Sequence, residues 1–375
     1  MTRVLFVSTS TTVGGAEKTV YTLATLLDPK HIAAAGVVSL KPLGLYAHRL
    51  QEQGVKTATL NLCGRPGLGH IRELVRIIDH ERPNIVHAFM YQAIQLCRIA
   101  KRFSTTRFSL VSSPRVNYRT RSTFSLLVDR GLRGADDMLI AECRASREYL
   151  IGALGYGADK VRVIHNGVDL ASWPVSKLDR RRKRLELRLG ADELLVGAVG
   201  RLDGQKGHRV LVEAMARLKG RVSARCVIIG EGPDRAVLEA LIRRHHLESV
   251  VLLLGERDDV TAWLSSLDVF VLPSLWEGLP NALLEAMALG LPVLASGVDG
   301  VLEAVENGVN GRIVPPNNIG ALAEALVGLA LDAGERERLG RAAKKTIAER
   351  FTLIRMLAAY EKAYGDVTTR ALTLR

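Results

Sequence analysis

The chain has 375 residues, 47% of them hydrophobic and 24% charged, with a formal net charge of +13. That length suits two domains of ordinary size, and the composition excludes a disordered chain. The four cysteines (Cys63, Cys97, Cys143, Cys226) stand apart with no C-x-x-C pair, which argues against a disulfide framework or a zinc site and fits a reducing cytosol. No apolar run approaches the ~18–20 residues that span a bilayer. The N-terminal MTRVLFVSTS has an apolar stretch of only four residues, so it reads as a first strand and not as a signal peptide.

Short β-rich runs alternate with helical runs from start to end. The first half offers strand candidates at 3–9, 35–40, 55–60, 84–88, 107–113, 137–141 and 160–164, with amphipathic stretches between them. Between Lys101 and Arg133 lie eight Lys/Arg against one acid, Asp129, a cluster suited to an anionic surface or to plain solvation. The rhythm breaks at 166–190, where turn residues and a proline precede the basic block Arg180–Arg184; this reads as a linker and one exposed helix with a solvated basic face. A fresh strand at Leu194 restarts the alternation, with further candidates at 225–230, 250–255, 269–274 and 291–296 and a last helical pattern from Phe351 to the end. Alternation of this kind predicts an α/β fold of doubly wound parallel sheets.

Ligands of such sheets bind outside the carboxyl ends of the strands. Four segments occupy such positions. STSTTVGGAEKTV (8–20) places Gly14 and Gly15 just before a helix, where backbone can approach a ligand. VGRLDGQKGHRVLVEAM (199–215) sets Arg201 and Lys206 around a glycine-containing loop; Arg gives forked contacts to phosphate oxygens and Lys a point charge. No Ser or Thr follows Lys206, which argues against a P-loop, and no G-x-G-x-x-G follows the first strand, which disfavours a dehydrogenase. IIGEGPDRAVLEAL (228–241) is a glycine-bounded turn after a strand.

The fourth segment, PSLWEGLPNALLEAMALGLPV (273–293), carries two glutamates eight residues apart. A helix starts near Pro280 and is stopped by Gly290 and Pro292. Glu277 then sits on the entering loop and Glu285 about one turn inside. First-turn N–H groups suit a diphosphate, and the carboxylates can accept hydrogen bonds from sugar hydroxyls. A nucleotide sugar has both parts.

Taken in order, GGAEKTV (14–20), PNIVHAFM (83–90), IHNGVD (164–169), VGRLDGQKG (199–207), IIGEGP (228–233), DVFVLPSLWEGLPNALLEAMALGLPV (268–293) and NGRIVP (310–315) resemble the retaining glycosyltransferases of family 4, which have the GT-B fold. The resemblance implies two Rossmann-like domains facing a cleft. The expected divisions are an acceptor-side domain at 1–170, a linker and basic helix at 171–192, a nucleotide-sugar domain at 193–350, and a C-terminal helix at 351–375 that packs back on the first domain. It further implies that Glu285 holds the ribose hydroxyls, Glu277 the donor sugar, and Arg201 and Lys206 the diphosphate. The backbone around Gly278, Leu279, Asn281, Leu283 and Leu284 assists, and Gly14 and Gly15 approach from the first domain. The donor base is expected near Leu254–Val260.

The implied reaction is retaining transfer from a nucleotide-diphosphate sugar to a glycan or lipid-linked acceptor, in cell-envelope or exopolysaccharide synthesis, with no cofactor and no metal. The catalytic set is Glu277, Arg201, Lys206 and His87. Asp136–Asp137 and Asp258–Asp259 read as capping and loop contacts, not as a metal-binding pair. His87 is open to two readings, a contact to sugar or acceptor or a satisfied core histidine, and the chain has Phe89 where many members carry a second histidine. An anionic membrane surface is a further expected partner, through Arg115, Arg119 and Arg121, at the inner face of a membrane bounding the cytoplasm. UDP-sugars and GDP-mannose fit equally. The rival readings are a silent sugar-binding homologue and a nucleotide-sugar epimerase. A nucleic-acid binder is disfavoured by 5% aromatics and the lack of a recognition signature.

Overall fold

The computed structural model describes residues 1–115, 122–172, 177–190 and 192–373. The chain divides into two compact units, Met1–Asn166 with Ile354–Arg375, and Gly167–Leu353.

In the first unit the strands are β1 (Thr2–Ser8), β2 (Ile32–Ser39), β3 (Thr57–Thr59), β4 (Ile85–Phe89), β5 (Ser109–Ser113), β6 (Met138–Ala141) and β7 (Val161–Val163). They form one parallel sheet in the order β3-β2-β1-β4-β5-β6-β7. The helices between them are α1 (Gly15–Leu26), α2 (Leu45–Glu52), α3 (Leu68–Glu81), α4 (Tyr91–Phe103), α5 (Thr123–Leu132) and α6 (Arg144–Gly152). Residues 85–89 and 109–113 are buried throughout, as strands covered by helices on both faces must be. Beside them Arg98 of α4 is enclosed with Asp129 and Asp136, at 2.6 and 2.7 Å. Burial works against the guanidinium's charge, but the two carboxylates and the Tyr156 hydroxyl more than restore it. Asp136, expected at a cap, is thus an interior ion-pair partner, and Asp137 accepts from Leu110 N (2.6 Å) and from Lys101.

The second unit begins with α7 (Lys177–Glu186) and contains β8 (Leu194–Val199), α8 (His208–Leu218), β9 (Ala224–Ile229), α9 (Arg235–Arg244), β10 (Val251–Gly255), α10 (Val260–Ser266), β11 (Val269–Leu272), α11 (Asn281–Ala288), β12 (Val293–Ser296), α12 (Val301–Ala304), β13 (Arg312–Val314), α13 (Ile319–Leu331) and α14 (Ala333–Arg350). Its sheet is parallel in the order β10-β9-β8-β11-β12-β13. The core packs α8 and α13 against it through residues such as Leu211, Met215, Leu322 and Leu326.

The basic block corrects one expectation. α7 is solvated on one side only: Arg181 and Arg182 are exposed, but Arg180 and Arg184 both hold Asp268, and Lys183 is buried between Asp259 (2.8 Å) and the Trp263 ring (4.4 Å to the centroid). Three of its cations therefore tie the helix down, because carboxylates and a ring on the α10–β11 side receive them. Asp259, likewise expected as a plain loop contact, is shared by Lys183 and Arg257.

The last helix, α15 (Leu353–Thr373), belongs from Ile354 onward to the first unit. Tyr360 and Tyr364 are fully buried there, and Asp366 pairs with Arg162. Where the chain enters and leaves the second unit its two passages run side by side: Val168 N donates to Phe351 O (2.8 Å) and Leu353 N to Val168 O (2.9 Å).

Candidate nucleotide-sugar site

In the second sheet, strand order reverses between β8 and β11. Such a switch point opens a crevice at the carboxyl ends of the two strands. The loop after β8 carries Arg201 and Lys206, and the loop after β11 carries Ser274 and Glu277, so the topology itself brings distant sequence segments together. The loops are stitched by Leu275 N donating to Gln205 O (2.8 Å) and Gln205 Nε2 to Trp276 O (3.0 Å). Gly207 permits this approach: its φ is +64°, and a Cβ there would collide with the Pro273 carbonyl.

Lys206 Nζ lies 2.6 Å from Glu277 Oε1, and Ser274 Oγ donates to the same oxygen at 2.7 Å. The lysine side chain is 20% exposed and the glutamate 5%, so the pair sits at the boundary of the core with the cation on the outer side. Arg201 is 70% exposed, and its only ion-pair partner among the described residues is Asp203 (3.7 Å). A reachable cation beside a paired lysine fits an incoming diphosphate, which can accept from both.

Glu285 is buried on α11, one turn beyond Asn281. Leu279 and Leu283 are enclosed, so only their backbone can reach a ligand. Glu277 N donates to Asp299 Oδ2 (3.3 Å) and Leu284 N to Pro280 O (3.3 Å). The amides of Asn281 to Leu283 lie in the helix's first turn, which lacks intrahelical acceptors. Gly255, within the stretch expected to meet the base, has φ +72° and accepts from Gly230 N at 2.8 Å.

The family descriptions "Glycosyl transferases group 1" and "Glycosyltransferase Family 4" match residues 179–346 and 13–172. The glycogen synthase of Mycobacterium tuberculosis is 30% identical over 294 residues, 76% of this chain and 69% of that protein. The chain belongs to the family 4 glycosyltransferases. The Escherichia coli protein called a putative colanic acid biosynthesis glycosyltransferase WcaL is 34% identical over 208 residues, 53% of this chain and 49% of that one. The chain spans about half the length of several curated relatives that it matches. Among solved structures, Anabaena Alr3699/HepE in complex with UDP-glucose superposes with a TM-score of 0.87 at 23% identity, covering 98% of this chain and all of that one, which establishes the GT-B fold.

In this glycosyltransferase the first unit treats its expected residues differently. His87, on β4, has no exposed surface: Nδ1 meets the Tyr364 hydroxyl (2.6 Å), Nε2 meets Ser113 Oγ (2.8 Å), and the Phe89 ring lies 4.1 Å away. Burial, and then the Arg115 charge, hold the imidazole neutral, well below its usual range. The geometry matches the satisfied core histidine, with both nitrogens engaged and none facing a ligand. Gly14 is followed by Glu17, whose carboxylate accepts from Ser10 and occupies the place a Cβ on Gly14 would need. The absence of a side chain at Gly14 thus has a packing cause of its own. Arg115 turns inward, to Asn166 and Tyr360, and so leaves the membrane-facing set; Arg119 and Arg121 lie outside the described residues.

One candidate went unread in the sequence. His208 opens α8 directly after Gly207 and is buried beneath the Arg201–Lys206 loop, with neither ring nitrogen in a well-formed hydrogen bond. Burial, and then the Lys206 charge, push it down to about 4. The signal was a polar residue immediately after the glycine of QKG, at a position where helix packing expects an apolar one.

Proposed function

We propose that the chain transfers a glycosyl group from a nucleoside-diphosphate sugar to a growing or lipid-linked glycan, with retention of configuration and without a metal. The observation that carries this reading is the Lys206–Glu277–Ser274 cluster at the switch point, with exposed Arg201 beside it. Arg201 and Lys206 neutralise the charge that grows on the leaving phosphate, and fixed charges of this kind are often the largest single catalytic contribution. As Lys206 turns toward the phosphate, Glu277 is released to accept from sugar hydroxyls; Ser274 keeps one of its oxygens fixed. Glu285 grips the ribose. His87 is left out of proton transfer, so the departing phosphate oxygen itself takes the proton of the attacking hydroxyl on the same face. The names of the relatives, a glycogen synthase and a colanic acid biosynthesis protein, support polysaccharide assembly, and the UDP-glucose complex of HepE supports a uridine donor.

The first test is thermal unfolding with UDP, GDP, ADP, dTDP and their sugars, on wild type and Glu285→Ala. A ligand at about 100 times its Kd adds roughly 2.7 kcal/mol of stability. One base class should stabilise wild type and lose most of that effect in the variant. No response to any of them overturns the reading, and binding with no product on any glycan acceptor returns the chain to the silent-homologue class.

A further inference from the structure

Two of the first unit's partly or fully buried arginines, Arg98 and Arg115, are compensated differently. Arg98 is met by Asp129, Asp136 and Tyr156. Arg115, two residues past β5, is met among the described residues only by neutral groups. Nη1 donates to Asn166 Oδ1, Nη2 donates to the Tyr360 hydroxyl, and the Phe89 ring centroid lies 5.7 Å from its Cζ. Among the described residues no carboxylate is within 4 Å of it, and its buried Nε has no hydrogen-bond partner. The buried carboxylate past β6, Glu142, accepts from Ser146 Oγ instead (3.0 Å). The backbone at Arg115 is also left-handed, φ +59°, a conformation that strains a non-glycine residue.

A half-buried guanidinium with no anion and an unpartnered Nε is costly unless something charged completes it. Its surroundings fix the fork at the carboxyl end of the sheet, where β5 and β7 finish and where ligands of parallel sheets bind. We propose that Arg115 anchors a phosphate group of the acceptor, with Asn166 and Tyr360 holding the fork in place. A phosphate supplies the missing charge, and the remaining Nη–H groups can donate to its oxygens in the planar geometry that arginine recognises. The proposal rests on the transferase reading, since that reading makes the first unit the acceptor side.

The test uses the full chain with UDP saturating the second unit, and again in a Lys206→Ala background, so that Arg201 and Lys206 do not report. Inorganic phosphate and glycerol 3-phosphate are titrated at constant ionic strength, with thermal unfolding as readout; phosphatidylglycerol vesicles form a separate arm. Wild type should respond to the soluble phosphates, Arg115→Gln should weaken the apparent affinity at least tenfold, and Arg115→Lys should keep part of it. Binding to vesicles alone, lost in Arg115→Gln, places the phosphate on a lipid headgroup and supports the assignment. Asn166→Asp, which sets a carboxylate beside the guanidinium, should abolish the response while keeping the fold, and it decides the matter if Arg115→Gln unfolds. Wild type indifferent to every phosphate probe, or a folded Arg115→Gln that responds as wild type does, overturns it. The UDP response is read independently, so loss of the donor reading and loss of this one are distinguishable.

Discussion

The two units share a β/α rhythm and parallel sheets, yet they use polar side chains at their strand ends in opposite ways. At the end of β4 the first unit encloses His87, with both nitrogens spent on Tyr364 and Ser113. At the ends of β8 and β11 the second unit leaves Lys206 one-fifth exposed and Arg201 mostly exposed. The difference follows from what covers each sheet: α15 lays Tyr360 and Tyr364 over the first, and polar atoms sealed under a helix must satisfy one another. Arg98 and His87 are thus sealed by partners of the first unit's own fold, whereas Arg201 and Lys206 of the second keep part of their side chains exposed.

The hardest way to break this contrast is at Arg98. Arg98→Ala leaves Asp129 and Asp136 enclosed without a cation and should cost about 3–5 kcal/mol. Urea unfolding measures it, and a loss below 1 kcal/mol would show that the network is not structural. Lys206→Ala should weigh more on turnover. Stability should fall by about 1–3 kcal/mol, less than at Arg98 because Ser274 still donates to the Glu277 carboxylate, while turnover under saturating donor should fall ~10²–10³-fold. Arg201→Ala should fall by about 10²-fold on the same reasoning; near-normal turnover would remove it from the phosphate. His87→Gln should sharpen the comparison from the other side. It orphans hydrogen-bond partners at a cost of about 1–3 kcal/mol, yet leaves turnover of the folded fraction near wild type. A thousandfold loss of turnover with unchanged stability would restore His87 as a catalytic group.

The fold was legible because parallel strands must be hydrophobic on both faces, so runs such as NIVHA and VFVLPS stand out in the chain. The edge strand β13 (Arg312–Val314) escaped the strand reading: three residues, one of them an exposed arginine, carry no periodicity. The Lys206–Glu277 contact was legible only as two motifs, since nothing in either segment states that β8 and β11 are neighbours. Half of α7 was legible, since Arg181 and Arg182 are exposed; Arg180, Lys183 and Arg184 were not, because their partners, Asp259, Asp268 and Trp263, lie far away in sequence. His87 could be read either way, because the residues that seal it, Ser113 and Tyr364, are 26 and 277 positions distant.

A last comparison concerns the two buried histidines, one in each unit. Both are held neutral, His87 well below 6.5 and His208 at about 4, with burial as the first cause in each. In the unfolded chain both titrate near 6.5. Below that pH the unfolded state takes up protons that the folded state refuses. The neutral sites' contribution is therefore complete above about 6.5 and is lost as pH falls, at up to about 1.4 kcal/mol per pH unit for each group. For His208 the loss runs from about 6.5 to about 4. His208→Asn should remove its share of that slope and His87→Gln the other, read as urea midpoints between pH 4.5 and 7.5. The units separate on adding UDP. A diphosphate beside Lys206 cancels the second cause of the His208 shift, so UDP should flatten the His208 share and leave the His87 share alone. A slope that UDP leaves untouched in both would mean that the diphosphate does not sit against the Arg201–Lys206 loop.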